Sequence, residues 1–168
     1  MTTIVAPPPH ASGALVLGWR EWVALPQLGL PAIKAKVDTG ARTSALHAFQ
    51  VETETLDGTE MVCFSVHPLQ GRTDLVVRCR APLLEWRTVS DSGGHRELRC
   101  VIASTLHIAG QVWPIELTLT DRDSMRFRML LGRTALTGRA LVDPRSSYLA
   151  AGRPAHPADA YRAPDHAG

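Results

Sequence analysis

Apolar and polar residues alternate along most of this chain, and the pattern is clearest at Ile33, Ala35 and Val37, which alternate with Lys34 and Lys36. A period of two predicts a strand with one buried face. This strand runs straight into Asp38-Thr39-Gly40-Ala41, where glycine permits a sharp turn and the threonine hydroxyl can tie it down. Residues 49–55 alternate in the same way and lead to Asp57-Gly58, a hairpin signal, with Val62, Phe64 and Val66 alternating on the return. Leu75 to Cys79 reads as a further strand. Upstream, residues 14–25 read as a strand or a strand pair anchored by Trp19 and Trp22, and residues 44–48 as a strand returning from the Asp-Thr-Gly turn.

Two more arms, residues 84–89 and 95–102, flank the glycine-rich tip Ser90-Asp91-Ser92-Gly93-Gly94 and predict a hairpin with a movable end. Leu106-His107-Ile108, a Gly110-Gln111 turn and the face of Ile115, Leu117 and Leu119 make another. Residues 121–126 form a polar loop. Met129-Leu130-Leu131 is a short apolar strand that ends at Gly132, and Arg133-Thr134-Ala135-Leu136 follows as a brief helical turn. Ala140-Leu141-Val142 is the last strand, closed by Asp143-Pro144. Many short strands at turn-marked spacing predict an all-β domain, a closed barrel over residues 14–149. It carries an extra β layer between the Asp-Thr-Gly turn and the hairpin, and one short helix near its C-terminal end. Residues 1–13, with Pro7-Pro8-Pro9, read as a disordered lead-in, and residues 150–168 as a disordered tail.

The totals narrow the function. There are 168 residues, room for one domain, and the net charge is +2. That near balance argues against nucleic-acid binding through bulk electrostatics. No apolar run is long enough to span a membrane, and the N-terminus lacks the pattern of an export signal, so the cytoplasm is the expected location. Cys63, Cys79 and Cys100 show neither a paired nor a zinc-like spacing and are expected as buried free thiols. His47, His67, His95 and His107 are scattered without metal-ligand spacing, so no metal and no cofactor is expected. Lys34 and Lys36 are the only lysines among 18 basic residues. Genomic GC bias would produce such an excess of arginine; so would recognition of carboxylates by guanidinium forks.

The candidate chemistry lies in two separated pieces. An aspartic peptidase needs an Asp-Thr-Gly loop and a later apolar-apolar-Gly strand packed behind it. Here Asp38-Thr39-Gly40 and Leu130-Leu131-Gly132 supply both, in that order. Such enzymes hold two carboxylates close together with one shared proton, and the pair titrates as a unit. Asp57-Gly58-Thr59 and Asp91-Ser92-Gly93 look like second copies, but neither has its own apolar-apolar-Gly partner. One catalytic aspartate per chain predicts a C2 homodimer that sets Asp38 against its symmetry mate.

The chain resembles retropepsin-like aspartic peptidases and, more closely, the bacterial RimB-type family, often described as ATP-dependent zinc proteases. Gly18-Trp19-Arg20-Glu21, the run from Lys36 to Ser44, Gly94-His95-Arg96-Glu97 and Leu130-Leu131-Gly132-Arg133 carry the resemblance, which spans residues 18–149. It implies a retropepsin-like barrel with Asp38, Thr39 and Gly40 as the catalytic loop and residues 90–95 as a flap. It implies substrate contacts at Ala41, Arg42, Ser92, Gly93, Gly94, His95 and Arg96, and support of the site by Leu131, Gly132 and Arg133. It also implies a protein or peptide substrate and an association with RimK-type ATP-grasp ligases, which add glutamates to ribosomal protein. Arg42 departs from the usual pattern, because an acid normally follows Asp-Thr-Gly-Ala and pairs with the arginine found here as Arg133. The large insertion also opens the question of whether it covers the dimer face. Two alternatives stand beside the peptidase: a non-catalytic module that holds an acidic tail, and a metal-dependent hydrolase.

Overall fold

A computed structural model describes residues 14–90, 93–121, 126–150 and 154–162. Its strands are β1 (Leu15–Leu17), β2 (Arg20–Leu25), β3 (Leu30–Val37), β4 (Ser44–His47), β5 (Phe49–Leu56), β6 (Thr59–Val66), β7 (Val77–Ser90), β8 (Arg96–Ile108), β9 (Gln111–Thr120), β10 (Met129–Leu131) and β11 (Ala140–Val142). The helical turn after Gly132 is α1 (Arg133–Leu136), and Pro26–Leu28 and Pro157–Tyr161 form 3₁₀ turns. The fold is all-β, with most of its strands in one large sheet of order β2-β3-β10-β4-β9-β8-β7-β6-β5. β2 also meets β8, at the single bridge Ala24↔His107. No helix among the described residues is long and apolar enough to cross a membrane.

The alternating pattern becomes the core directly. In β2 the side chains of Glu21, Val23 and Leu25 are buried while Arg20, Trp22 and Ala24 are only partly so. Phe64, Leu46, Ile102, Leu106, Leu117 and Met129 are fully buried. β10 is too short to stand alone and is held on both sides, parallel to β3 through Leu131↔Val37 and antiparallel to β4 through Met129↔Leu46. Asp57 and Gly58 both take positive φ, 50° and 80°, the twist a two-residue hairpin requires.

Several boundaries differ from the sequence reading. The runs at 75–79 and 84–89 merge into the single strand β7, which crosses Pro82. Proline cannot donate to a ladder, and Pro82 sits where β7 stops pairing with β6 and begins pairing with β8. The inserted pair β5–β6 is therefore joined to the flap arm by one continuous strand. β8 likewise fuses two predicted runs, and its turn falls at Ala109-Gly110, one residue earlier than expected, with φ of 52° and 74°. β1 and β11 pair in parallel as a separate two-stranded sheet.

Within the segment expected as a disordered tail, residues 154–162 are described. Pro157–Tyr161 packs on β3, and the half-buried Tyr161 hydroxyl donates to the Ala32 carbonyl. Burial pushes the Tyr161 hydroxyl pKa up to about 12. A single aromatic residue in a run of small and polar ones docks the segment, a contact that composition does not reveal.

The Gly18-Trp19-Arg20-Glu21 motif is a clamp on the segment after β11. Glu21 is fully buried and accepts hydrogen bonds from three backbone N–H groups, of Gly18 (2.6 Å), Leu149 (3.0 Å) and Ala150 (3.1 Å). Trp19 N–H donates to the Ser146 carbonyl and Tyr148 N–H to that of Arg20. The Arg20 guanidinium stacks over both Trp19 and Tyr148. A Cβ on Gly18 would lie 2.2 Å from the Ser146 carbonyl oxygen, so only glycine fits.

Cys79 and Cys100 are buried, and Cys63 is partly exposed. Burial pushes the Cys79 thiol pKa up to about 12 and raises that of Cys100. Since the thiolate is the reactive form, one thiol of the folded protein is expected to react readily with a disulfide reagent at pH 8. The other two should need denaturant. A Cys63→Ser variant that still shows a fast thiol in the native state contradicts this burial.

Candidate active site

Asp38 follows β3 directly, and its backbone is fixed from two sides. Asp38 N–H donates to the Leu131 carbonyl at 2.8 Å, which extends the β3–β10 ladder by one residue, and Val37 N–H donates to the Trp19 carbonyl at 2.8 Å. The turn then closes on the aspartate: Gly40 N–H meets Asp38 Oδ1 at 3.0 Å, and Ala41 N–H meets the Asp38 carbonyl at 3.2 Å. Gly40 does not use the left-handed freedom of glycine. What it supplies is closeness, because a Cβ there would already stand 3.2 Å from Asp38 Oδ1. Asp38 is half-buried, and Thr39 and Gly40 are exposed.

The second piece braces the first from behind. Arg133 Nη1 donates to the carbonyls of Thr39 (3.0 Å) and Gly40 (3.2 Å), its backbone N–H to that of Ala41 (2.8 Å), and Thr134 N–H to that of Arg42 (3.0 Å). Arg133 thus holds the loop through main-chain carbonyls and not through an acid at position 42. Arg42 is exposed and its side chain pairs with no carboxylate among the described residues. Leu131 and Gly132 are buried. A Cβ on Gly132 would stand 2.6 Å from the Thr43 carbonyl carbon and 3.0 Å from the Ala41 oxygen. These are backbone atoms that cannot swing aside. Gly132→Ala is therefore expected to lose roughly 2–3 kcal/mol and to displace the Asp38 loop. Calorimetric melting checks the first effect, and the NMR shifts of residues 38–44 check the second.

Sequence reasoning missed the polar chain that runs from this floor to the hairpin. Ser44 is fully buried at the start of β4, opposite Leu117 in an otherwise apolar row. Its hydroxyl accepts from Gly132 N–H at 3.0 Å, and its carbonyl accepts from Thr118 Oγ1 at 3.3 Å. The Arg99 guanidinium, only 7% exposed, donates to Thr118 Oγ1 (3.4 Å) and to Glu97 Oε2 (3.0 Å), and Thr120 Oγ1 donates to Glu97 at 3.2 Å. Alternation reads Thr118 and Thr120 as facing away from the Ile115, Leu117 and Leu119 side, so their burial depends on groups from other strands.

The predicted flap is the distal end of the β7–β8 hairpin, whose last described pair is Ser90↔Arg96. Gly93, Gly94, His95 and Arg96 are exposed there, and Ser92 lies outside the described residues. Glu97 is engaged by Arg99 and Thr120, and Arg96 has no carboxylate partner among the described residues. Of the histidines, His47 is buried and His67 stacks on Phe49 at 4.4 Å. Among the described residues no three His, Cys, Asp or Glu side chains come together in a way that could hold a metal ion.

A strand-end Asp-Thr-Gly loop, locked by a later Leu-Leu-Gly-Arg segment on a mainly β scaffold, defines the retropepsin-like class. The chain belongs to the RimB-like family, described as retropepsin-like aspartic endopeptidase RimB, whose profile matches residues 16–153. Curated relatives include a "probable alpha-L-glutamate ligase" of Parasynechococcus marenigrum, 51% identical over 134 residues, covering 80% of this chain and 29% of the relative. Another so described, from Desulfotalea psychrophila, is 49% identical over 129 residues, covering 77% of this chain and 28% of its own length. The chain thus spans less than a third of the curated relatives it matches. A Legionella pneumophila protein of unknown function has a similar fold, with TM-score 0.67 and 23% identity, covering 81% of this chain and 98% of that one.

Proposed function

We propose that this protein is an aspartic endopeptidase that works as a homodimer, with the two Asp38 carboxylates sharing a proton and activating water. The observation that carries this reading is the double fixation of Asp38, by the Leu131 carbonyl behind it and the Gly40 N–H beside it. Oδ2 has no partner among the described residues, which leaves it able to accept from water. A rigid carboxylate with a free oxygen is what general-base activation of water requires. Thr39 braces the paired loops, Gly40 and Ala41 line the approach of substrate, and the distal end of the β7–β8 hairpin closes over it and excludes water.

The position of the insertion supports the pairing. Its root lies by the Pro26–Leu28 turn, where Cys79 Sγ meets the Leu28 carbonyl at 3.2 Å. Asp38 lies past the other end of the eight-residue β3, about 25 Å away at strand rise. The inserted hairpin is thereby rooted far from the loop that must meet its symmetry mate.

The substrate in this reading is an acidic or glutamate-tagged cytoplasmic protein linked to ribosomal protein modification. Two observations favour it. Arg42 lies two residues past Gly40 and Arg96 near the end of the β7–β8 hairpin, each exposed and without a carboxylate partner among the described residues, and guanidinium forks bind carboxylates bidentately. Relatives described as glutamate ligases contain a segment like this chain within a longer protein, which points to a RimK-type ligase as a functional partner. The test is cleavage of glutamate-rich peptides by purified protein, with inhibition by pepstatin and not by a chelator. Sedimentation should show an active dimer. Binding of such peptides without cleavage under any condition replaces the peptidase by the acidic-tail binding module, and chelator inhibition replaces it by the metal-dependent hydrolase.

A further inference from the structure

The side of β3 that carries Lys36 also carries Asp38. Val37 between them is buried, whereas Lys36 is exposed and Asp38 half-buried, and successive strand side chains point to opposite faces. The alternation holds through Asp38, because its N–H donates to the Leu131 carbonyl and so continues the β3–β10 ladder. Alternate side chains of a strand are rooted about 6.6 Å apart, and those of an extended peptide have the same spacing. A peptide with its scissile carbonyl at Asp38 thus has a side chain, within about two residues of that bond, that can reach the Lys36 ammonium.

Lys36 is held at its root and uncommitted at its tip. Its backbone lies between two partners, Arg20 of β2 and Leu130 of β10. Its side chain meets no carboxylate among the described residues, Asp38 included. The neighbouring cations of β2 and β3 are committed. Lys34 already has an interaction of its own. The Arg20 guanidinium stacks over Trp19 and Tyr148, 4.5 and 4.9 Å from their ring centroids, and its Nε donates to Ser147 Oγ at 3.2 Å. Leu130, half-buried across from Lys36, offers only an apolar wall. An exposed lysine without a partner is ordinary in itself. What distinguishes Lys36 is its place, two residues before the reacting carboxylate on the face a substrate must cover. Covering it removes water from the ammonium, and a desolvated cation without a counter-charge is costly. A substrate carboxylate meets that need, and a neutral or basic side chain leaves the ammonium stranded.

We infer that Lys36 is a specificity-determining residue of the Asp38 site, pairing with a substrate carboxylate within about two residues of the scissile bond. The inference rests on the reading that Asp38 hydrolyses an acidic peptide. It adds a requirement for an acid at one place beside the cut to the general attraction exerted by Arg42 and Arg96.

The test uses the full chain and a hexaglutamate peptide, with the cut bond located by mass spectrometry and glutamine then introduced singly at each position around it. In the parent chain, one glutamine swap close to the cut is expected to lower kcat/KM about fivefold or more. Lys36→Gln should slow the all-glutamate peptide by a similar factor, make that swap silent, and leave the other swaps as they were. Lys36→Glu should prefer lysine over glutamate at the same position. Both variants alter an exposed side chain, so a thermal melt like that of the parent is expected to accompany these changes. Parent-like cleavage of every peptide by Lys36→Gln overturns the inference and leaves the peptidase reading standing. So does equal slowing of all peptides with the pH profile moved upward, the mark of a cation that acts on the Asp38 carboxylate and not on substrate. A parent chain that cleaves none of the peptides ends the peptidase reading, and the inference with it.

Discussion

Asp38→Asn is expected to abolish peptide hydrolysis while leaving the fold intact. The side chain keeps its size, and Asn Oδ1 can still accept from Gly40 N–H, now 3.0 Å from the Asp38 oxygen. The backbone bond to Leu131 does not involve the side chain at all. What is lost is the ability to take a proton from water. General-base contributions of this kind are about 10²–10⁴-fold, and in a dimer both copies are lost together. The stability change should be within about 0.5 kcal/mol, since a half-exposed isosteric change disturbs no packing. The measurement is kcat on a glutamate-rich peptide beside a thermal melt. Unchanged turnover in a well-folded Asn variant removes Asp38 from the chemistry and sends the search elsewhere in the molecule.

The largest expected effect on stability is Glu21→Ala. This carboxylate is fully buried and satisfies three backbone N–H groups, those of Gly18, Leu149 and Ala150. Removing it strands donors that alanine cannot replace, each at about 1–3 kcal/mol when water does not reach them. Leu149 is partly exposed and can find water, so a net loss of about 3–5 kcal/mol is expected. For a domain of this size that is a fall in melting temperature on the order of 10 °C. Amide exchange at Tyr148, Leu149 and Ala150 should quicken first, because these residues are tied to the β2 strand only through this clamp. Activity should fall as well, because the Trp19 carbonyl beside the clamp holds Val37 N–H, one residue before Asp38. Glu21→Gln keeps one acceptor oxygen and should lie between. A melting temperature within 2 °C of wild type for Glu21→Ala shows that the clamp is not what holds the C-terminal segment.

Much of the site was readable from local pattern. The run Ile33-Lys34-Ala35-Lys36-Val37 became β3 with Ala35 and Val37 buried and Lys36 exposed, and Asp38 follows its end. Leu130-Leu131-Gly132 became the strand that locks it. Period-two burial is a property of the backbone itself, so neither needed knowledge of the rest of the chain. Glu21 was legible only as part of a family motif. A lone acid in an alternating strand reads as exposed, and the three N–H groups that justify its burial come from both ends of the sequence. Arg99, Thr118 and Ser44 were unreadable for the same reason, since each takes its partner from a different strand.

The sequence by itself determined the β class, the hairpin turns at Asp57-Gly58 and near Gly110, and the two pieces of the Asp38 site, because these depend on residues within a few positions of one another. Only the tertiary structure decided that β7 is one strand through Pro82, that Arg133 braces carbonyls and no acid, and that Tyr161 docks the Pro157–Tyr161 turn on β3. Each of these is a meeting of groups distant in sequence, and such meetings are fixed by which strands pair and in what register. A shift of one residue would turn every one of those side chains to the other face.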